Sequence, residues 1–207
     1  MTRLTRLPAL IVTATLVVAC STSGGTASPR ASTLPVSAPP SAALACPTSA
    51  PTPMPAGETQ VVKIETAKGT IEIKVEADLG PRAASNFVAL AGCGFYDGTI
   101  FHRVIPGFVI QGGDPTGTGS GGPGYQFQDD RVDVAYTRGV VAMANSGPNT
   151  NGSQFFIVLA DSGLDPLYSV FGHVTAGMDA VDAIAAAADA EKPTNPIAMD
   201  KVTVSAP

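Results

Sequence analysis

Along residues 61–66, Val61, Lys63 and Glu65 alternate with Val62, Ile64 and Thr66, and residues 70–75 alternate again with Ile71, Ile73 and Val75 on one face. A period of two puts successive side chains on opposite faces of an extended strand. Lys68-Gly69 lies between the two runs and supplies a turn, so the pattern predicts a β-hairpin. The period then lengthens. Pro81 suits the first turn of a helix, Ala84, Phe87, Val88 and Ala91 recur at i, i+3, i+4 and i+7, and Gly92 would end it. Tyr96-Asp97-Gly98-Thr99 reads as a turn ahead of two short strands joined at Pro106-Gly107. Further strands are predicted over 139–144, 154–159, 169–174 and 197–204, and a second helix over 178–188, where Met178, Val181, Ile184, Ala185 and Ala188 are apolar. There is no internal repeat and no second domain. Many short strands with two helices require a sheet that curls or stacks to bury its apolar face. Periodicity alone does not choose between a barrel and a sandwich.

Before residue 58 no such periodicity exists. Residues 21–57 are mostly Ser, Thr, Pro, Ala and Gly with a single charge, Arg30. Such a segment buries too little apolar surface to fold, and as a coil it forms a tether spanning roughly 30–36 Å. Ahead of it, Arg3 and Arg6 precede an apolar run from Leu7 to Ala19, of signal-peptide length and short for a membrane span. Leu16-Val17-Val18-Ala19-Cys20 resembles a bacterial lipobox. That resemblance implies cleavage before Cys20 and a lipid on its thiol, which would hold the protein on the extracytoplasmic face of the cell membrane. The alternative is an ordinary secretory signal with an incidental cysteine; either way the chain is exported. The expected organisation is a signal peptide over 1–19, a tether over 20–57 and one folded domain over 58–207. Cys46 and Cys93 then remain. An even pair in an exported protein suggests a disulfide, here joining the end of the tether to the domain; the alternative is two free thiols.

The chain has 207 residues, with 12 Lys+Arg against 17 Asp+Glu. Without residues 1–19 the balance is 10 against 17. An acidic surface repels phosphate backbones, so nucleic acid is not an expected partner. Gly117-Thr118-Gly119-Ser120-Gly121-Gly122 has the spacing of a dinucleotide-binding loop, but Pro123-Gly124 prevents a helix from starting there and no βαβ unit surrounds it. His102, His173 and the cysteines show no metal-ligand spacing, so no metal and no cofactor is expected. No Gly-x-Ser-x-Gly nucleophile elbow occurs.

What remains is an arginine among aromatic groups. Phe101-His102-Arg103-Val104-Ile105-Pro106-Gly107-Phe108-Val109-Ile110-Gln111-Gly112-Gly113-Asp114 carries one block and Asn149-Thr150-Asn151-Gly152-Ser153-Gln154-Phe155-Phe156-Ile157-Val158 a second. An arginine on a half-buried strand is costly without a partner or ligand. Taken singly, Arg103 would be a surface or salt-bridged residue, Phe108 and Phe156 core residues, and Gln111 and Gln154 hydrogen-bonded strand residues. Jointly, both blocks resemble, nearly residue for residue, the two signature segments of cyclophilins, the peptidyl-prolyl cis-trans isomerases. The similarity runs from about Val61 to Val204.

The resemblance implies a mainly β fold, a closed eight-stranded antiparallel barrel capped at each open end by a helix. It implies Arg103 as the catalytic arginine, Gln111 as the glutamine that orients it, and Phe108, Phe156 and Leu164 as walls of the proline pocket, with Val109 where the family often has Met. Ala144 and Asn145 would pair with the substrate backbone, and Tyr168 stands where many members have His. His102 matches a structural histidine. The chemistry suits these residue types. Rotation about an X-Pro bond faces about 18–20 kcal/mol because the amide C–N bond has partial double-bond character. Catalysis needs an apolar slot for the ring and a donor where charge gathers as conjugation is lost, and arginine offers several donors in one fixed plane. The expected partners are proline-containing unfolded or exported polypeptides, bound by a monomer. One departure stands out. Cyclosporin-sensitive members carry a Trp before the leucine that matches Leu164, whereas this chain has Gly163 there and no Trp at all. Weak cyclosporin binding is therefore expected. A non-catalytic module or holdase that captures proline peptides at the cell envelope is the rival function.

Overall fold

A computed structural model describes residues 45–206. The proposed signal segment 1–19, the lipidation candidate Cys20 and most of the tether lie outside the described residues. In chain order the elements are β1 (Thr59–Thr66), β2 (Gly69–Glu76), α1 (Pro81–Gly92), β3 (Arg103–Ile105), β4 (Val109–Gly112), β5 (Val140–Met143), β6 (Phe155–Val158), β7 (Val170–Ala176), α2 (Met178–Ala187) and β8 (Lys201–Ser205). The strand expected over 197–204 begins later, at Lys201. Residues 197–199 instead make three hydrogen bonds and one isolated antiparallel bridge, Ile100 with Ala198, to the segment before β3.

The eight strands form one antiparallel sheet in the order β3-β4-β6-β5-β7-β2-β1-β8. It curls around an inner core to which both helices present their apolar faces. Phe87 and Leu90 of α1 and Val181 and Ile184 of α2 pack there with Ile64, Ile73, Phe101, Phe155 and Phe171. No ladder joins β3 to β8 among the described residues. Between those end strands, Gly98 N–H donates to Met199 O at 2.8 Å, Met199 N–H to Thr99 O at 2.8 Å, and Phe101 N–H to Ile197 O at 2.9 Å. No described helix is long and apolar enough to cross a membrane.

Two long-range contacts hold α1. Its N-cap position is Gly80, which has no side chain to satisfy the first-turn N–H groups. Asp130 does so from a distant loop, accepting from Ala83 N–H at 2.8 Å and Arg82 N–H at 3.2 Å. A carboxylate at this end also complements the helix dipole. At the other end Cys93 forms a disulfide with Cys46, 47 residues away. The segment after Cys46 lies along the same helix, where Met54 N–H donates to Pro81 O at 2.9 Å and Ser85 Oγ donates to Thr52 O at 2.6 Å.

Candidate active site

The β3–β4 hairpin turns at Pro106-Gly107. Gly107 has φ 74°, a left-handed conformation that strains residues with a Cβ, and Phe108 N–H donates to Ile105 O at 2.9 Å. This tight turn sets the register: Arg103 lies opposite Gln111, Val104 opposite Ile110, and Ile105 opposite Val109. The row continues across the sheet, with Gln111 opposite Phe156 on β6 and Phe156 opposite Ala142 on β5. Directly opposed residues share a face. The guanidinium, the amide and the phenyl ring therefore stand in one line on the outer face, while Val104, Ile110 and Ile157 enter the inner core.

That face opens into a cleft of about 290 Å³ lined by Arg103, Phe108, Val109, Gln111, Ala144, Asn145, Phe156, Leu164 and Tyr168. All nine residues singled out in the sequence as catalytic or substrate-binding thus surround one cavity. Its floor is a second apolar cluster in which Val109, Ala142, Phe156, Val158 and Val170 are buried and Phe108, Leu164 and Tyr168 partly so. Phe156 meets Tyr168 edge-on at 5.5 Å. His102 is buried away from this cavity, with no hydrogen-bond partner for either ring nitrogen among the described residues. Burial holds its imidazole below the ordinary histidine value.

Arg103 is gripped from two directions. Its Nε donates to Glu191 Oε1 at 2.7 Å and its Nη1 to Gln111 Oε1 at 3.4 Å. Gln111 is oriented in turn: its Nε2 donates to Gln154 Oε1 at 2.9 Å. Both hydrogens of Gln154 Nε2 are used, on Gly119 O at 3.0 Å and Gly121 O at 2.9 Å. An amide whose two donors are committed this way has its oxygen aimed elsewhere, here at Gln111. The glycine-rich loop that presents those carbonyls is organised by Asp114, which accepts from Thr116 N–H at 2.7 Å, Thr116 Oγ1 at 2.8 Å, Gly119 N–H at 2.6 Å and Gly121 N–H at 3.1 Å. Burial alone would raise the Asp114 carboxyl. The hydrogen bonds from Thr116, Gly121 and Gly119 outweigh it and hold the group well below the usual carboxylate range.

Sequence reasoning missed three of these supports. Gln154 reads as an ordinary strand residue, although it lies in the second signature block. Asp114 ends the first block, and its meaning emerges only with the loop folded back on it. Tyr136 is a third: its Oη donates to Tyr168 O at 2.9 Å and accepts from Tyr168 N–H at 3.0 Å, fixing the rim of the cleft. Asn145 anchors the same rim, donating from Nδ2 to Leu167 O at 2.9 Å. At Gly163 an added Cβ would meet nothing within 4 Å.

Residues 61–204 match the family described as cyclophilin type peptidyl-prolyl cis-trans isomerase/CLD. The chain belongs to this family. A peptidyl-prolyl cis-trans isomerase of Arabidopsis thaliana is 45% identical over 153 residues, covering 70% of this chain and 96% of that protein. A probable peptidyl-prolyl cis-trans isomerase A of Mycobacterium leprae is 41% identical over 167 residues, covering 69% of this chain and 90% of the relative. Among solved structures, a Cryptosporidium parvum cyclophilin type isomerase studied in the presence of the dipeptide Ala-Pro superposes with a TM-score of 0.67 at 37% identity. That match covers 72% of this chain and all of that one. The protein is a cyclophilin-type isomerase, and its described residues are mainly β, with an eight-stranded curled antiparallel sheet and two helices.

Proposed function

We propose that this cyclophilin catalyses cis–trans rotation of X-Pro bonds in exported polypeptides, and that the cleft beside Arg103 is where it does so. The observation that carries the assignment of the site is the register row Arg103–Gln111–Phe156, which brings a guanidinium to the rim of an apolar cavity. The proline ring enters the slot formed by Phe108, Val109, Phe156 and Leu164. Ala144 and Asn145 present main chain for the client to pair with. As the amide twists, its nitrogen loses conjugation and gathers electron density, and Arg103 donates to it. Gln111, held through Gln154, keeps the guanidinium aimed without taking part in covalent chemistry. The gain comes from a donor preorganised for the twisted state, with no nucleophile, ATP, metal or cofactor in the step.

The finer features belong to the same proposal. The hydrogen bonds joining residues 98–101 to 197–199 would close the curled sheet into a barrel. Lipid on Cys20 would anchor a monomeric enzyme to the outer surface of the membrane, and the Cys46–Cys93 disulfide suits that oxidising compartment. Residues 1–19 act as the signal peptide, 20–57 as the tether and 58–207 as the enzyme domain. Exchange measured on an Ala-Pro peptide, by NMR line broadening or protease coupling, tests the site. Wild type is expected to accelerate exchange, and Arg103→Ala to lose about 10²-fold while remaining folded. Near-normal turnover by that variant would refute the role given to Arg103.

A further inference from the structure

We infer that Glu191 is a positioning residue for Arg103, fixing the guanidinium from the side opposite Gln111; the inference rests on the reading of the cleft given above. Glu191 lies 88 residues from Arg103, in the segment after α2. Two independent contacts bring it to β3. Its main-chain oxygen accepts from Val104 N–H at 2.8 Å, and its carboxylate accepts from Arg103 Nε at 2.7 Å. Because β3 ends the sheet, its outer edge would otherwise expose the Val104 N–H, and Glu191 covers it. The segment is braced internally as well, since Thr194 N–H donates to Asp189 Oδ1 at 2.9 Å. The carboxylate is thus delivered by an anchored backbone to the residue next to its own main-chain partner, unlike two long side chains meeting by chance on a surface.

Donor accounting shows what this contact does. A guanidinium has five N–H groups. Glu191 takes the one on Nε, Gln111 takes one on Nη1, and the remaining three have no partner among the described residues. Two acceptors on two edges of a planar group restrict both its rotation and its tilt. A single acceptor would leave the plane free to swing about that bond. Glu191 therefore removes reorientation that would otherwise accompany the twisted amide, an effect expected in kcat and absent from KM. Its size is bounded by exposure, because the Arg103 and Glu191 side chains are 35% and 58% accessible, where solvent weakens an ion pair.

The test compares Glu191→Ala, Glu191→Gln and Arg103→Ala in the full domain with its disulfide intact. Exchange kinetics on an Ala-Pro peptide are read together with the ¹⁵N-edited resonance of Arg103 Nε–H. Glu191→Ala is expected to lower kcat about three- to fivefold with KM near the wild-type value. Its Nε–H signal should exchange faster with water. Glu191→Gln keeps an oxygen acceptor and should restore most of kcat and of the protection. An unchanged kcat in Glu191→Ala overturns the positioning role, as does an equal loss in both Glu191 variants with the Nε–H signal unmoved. Loss with Arg103→Ala but none with Glu191→Ala overturns this inference alone. No loss with either overturns the reading of the cleft as well.

Discussion

The two apolar clusters share strands β4–β7 and differ in what closes over them. Phe155 and Phe156 are chain neighbours on β6, yet Phe155 packs in the inner core against Phe87 and Tyr96, while Phe156 floors the cleft beside Tyr168. Strand periodicity alone separates them. The inner cluster is sealed by two helices and filled. The outer one is covered only in part: Tyr136, Val132 and Leu79 pack with it, and the rest borders the cavity lined by Arg103. The same difference shows in the glycines. A Cβ on Gly172, inside the sheet, would collide with the main chain of Lys74, whereas one on Gly163, the chain neighbour of the cleft residue Leu164, would meet open space. On the proposed reading of the cleft, one face of the sheet carries the packing and the other faces the substrate.

The largest expected effect tests that division directly. Phe155→Ala should destabilise the domain by about 3–5 kcal/mol, because it leaves a void among side chains that cannot close over it. Phe156→Ala should cost less stability, since its ring borders a cavity already open to solvent, and more activity. Paired chemical denaturation and exchange assays decide the matter; equal losses of stability would erase the distinction between the faces. Next in size is Arg103→Ala, whose loss of about 10²-fold, or about 2.7 kcal/mol in the barrier, should appear without any matching drop in the melting midpoint. A fall in both would make Arg103 part of the architecture.

The inner face was far more legible in the sequence than the support of the outer one. The hairpin over residues 59–76 and both helices follow from periods of 2 and 3.6, which are local. The cleft residues are legible only through resemblance, since nothing local tells a functional Phe108 from a structural one. What escaped are contacts closed only by the fold. Asp130 caps a helix 47 residues earlier in the chain, Gln154 reaches carbonyls 33 and 35 residues back, and Glu191 pairs with Arg103 across 88 residues. Side-chain-to-backbone bonds at such separations leave no periodic trace. The late start of β8 has a similar origin: residues 197–199 are apolar enough to read as strand, but residues 98–101 offer them one isolated bridge, at Ile100–Ala198, and no continuous ladder.

Asp114 organises the loop that holds Gln154 and gives a smaller effect with a pH signature. Its carboxyl is depressed in the folded protein relative to about 3.9 in an unfolded chain. The resulting stabilisation is therefore fully present above the unfolded value and lost as pH falls toward the folded one. Wild-type melting midpoints should drop below about pH 5. Asp114→Asn should flatten that acid limb and, at neutral pH, cost about 1–2 kcal/mol through the weakened bonds to Thr116, Gly119 and Gly121. Because the loop carbonyls also orient Gln154, part of the activity should go with it. A variant with an unaltered pH profile of stability would mean that the loop holds itself.

The smallest effect on stability belongs to Gly163, and the comparison of faces predicts it for a physical reason. Residues buried in the inner face cannot be enlarged without moving backbone, so change there is read out as unfolding. At Gly163 the neighbourhood is empty and φ lies outside the left-handed region, so Gly163→Ala should shift stability by no more than about 0.5 kcal/mol. The same emptiness removes a wall from any ligand that spans the rim. Gly163→Trp should therefore bind cyclosporin at least about tenfold more tightly than the wild type, with aromatic area added where the cleft is bare. Calorimetric titration of both proteins measures the difference. Tight binding by the unmodified chain would show that Leu164, Tyr168 and their neighbours already supply that wall, and the rim would then have to be counted as filled.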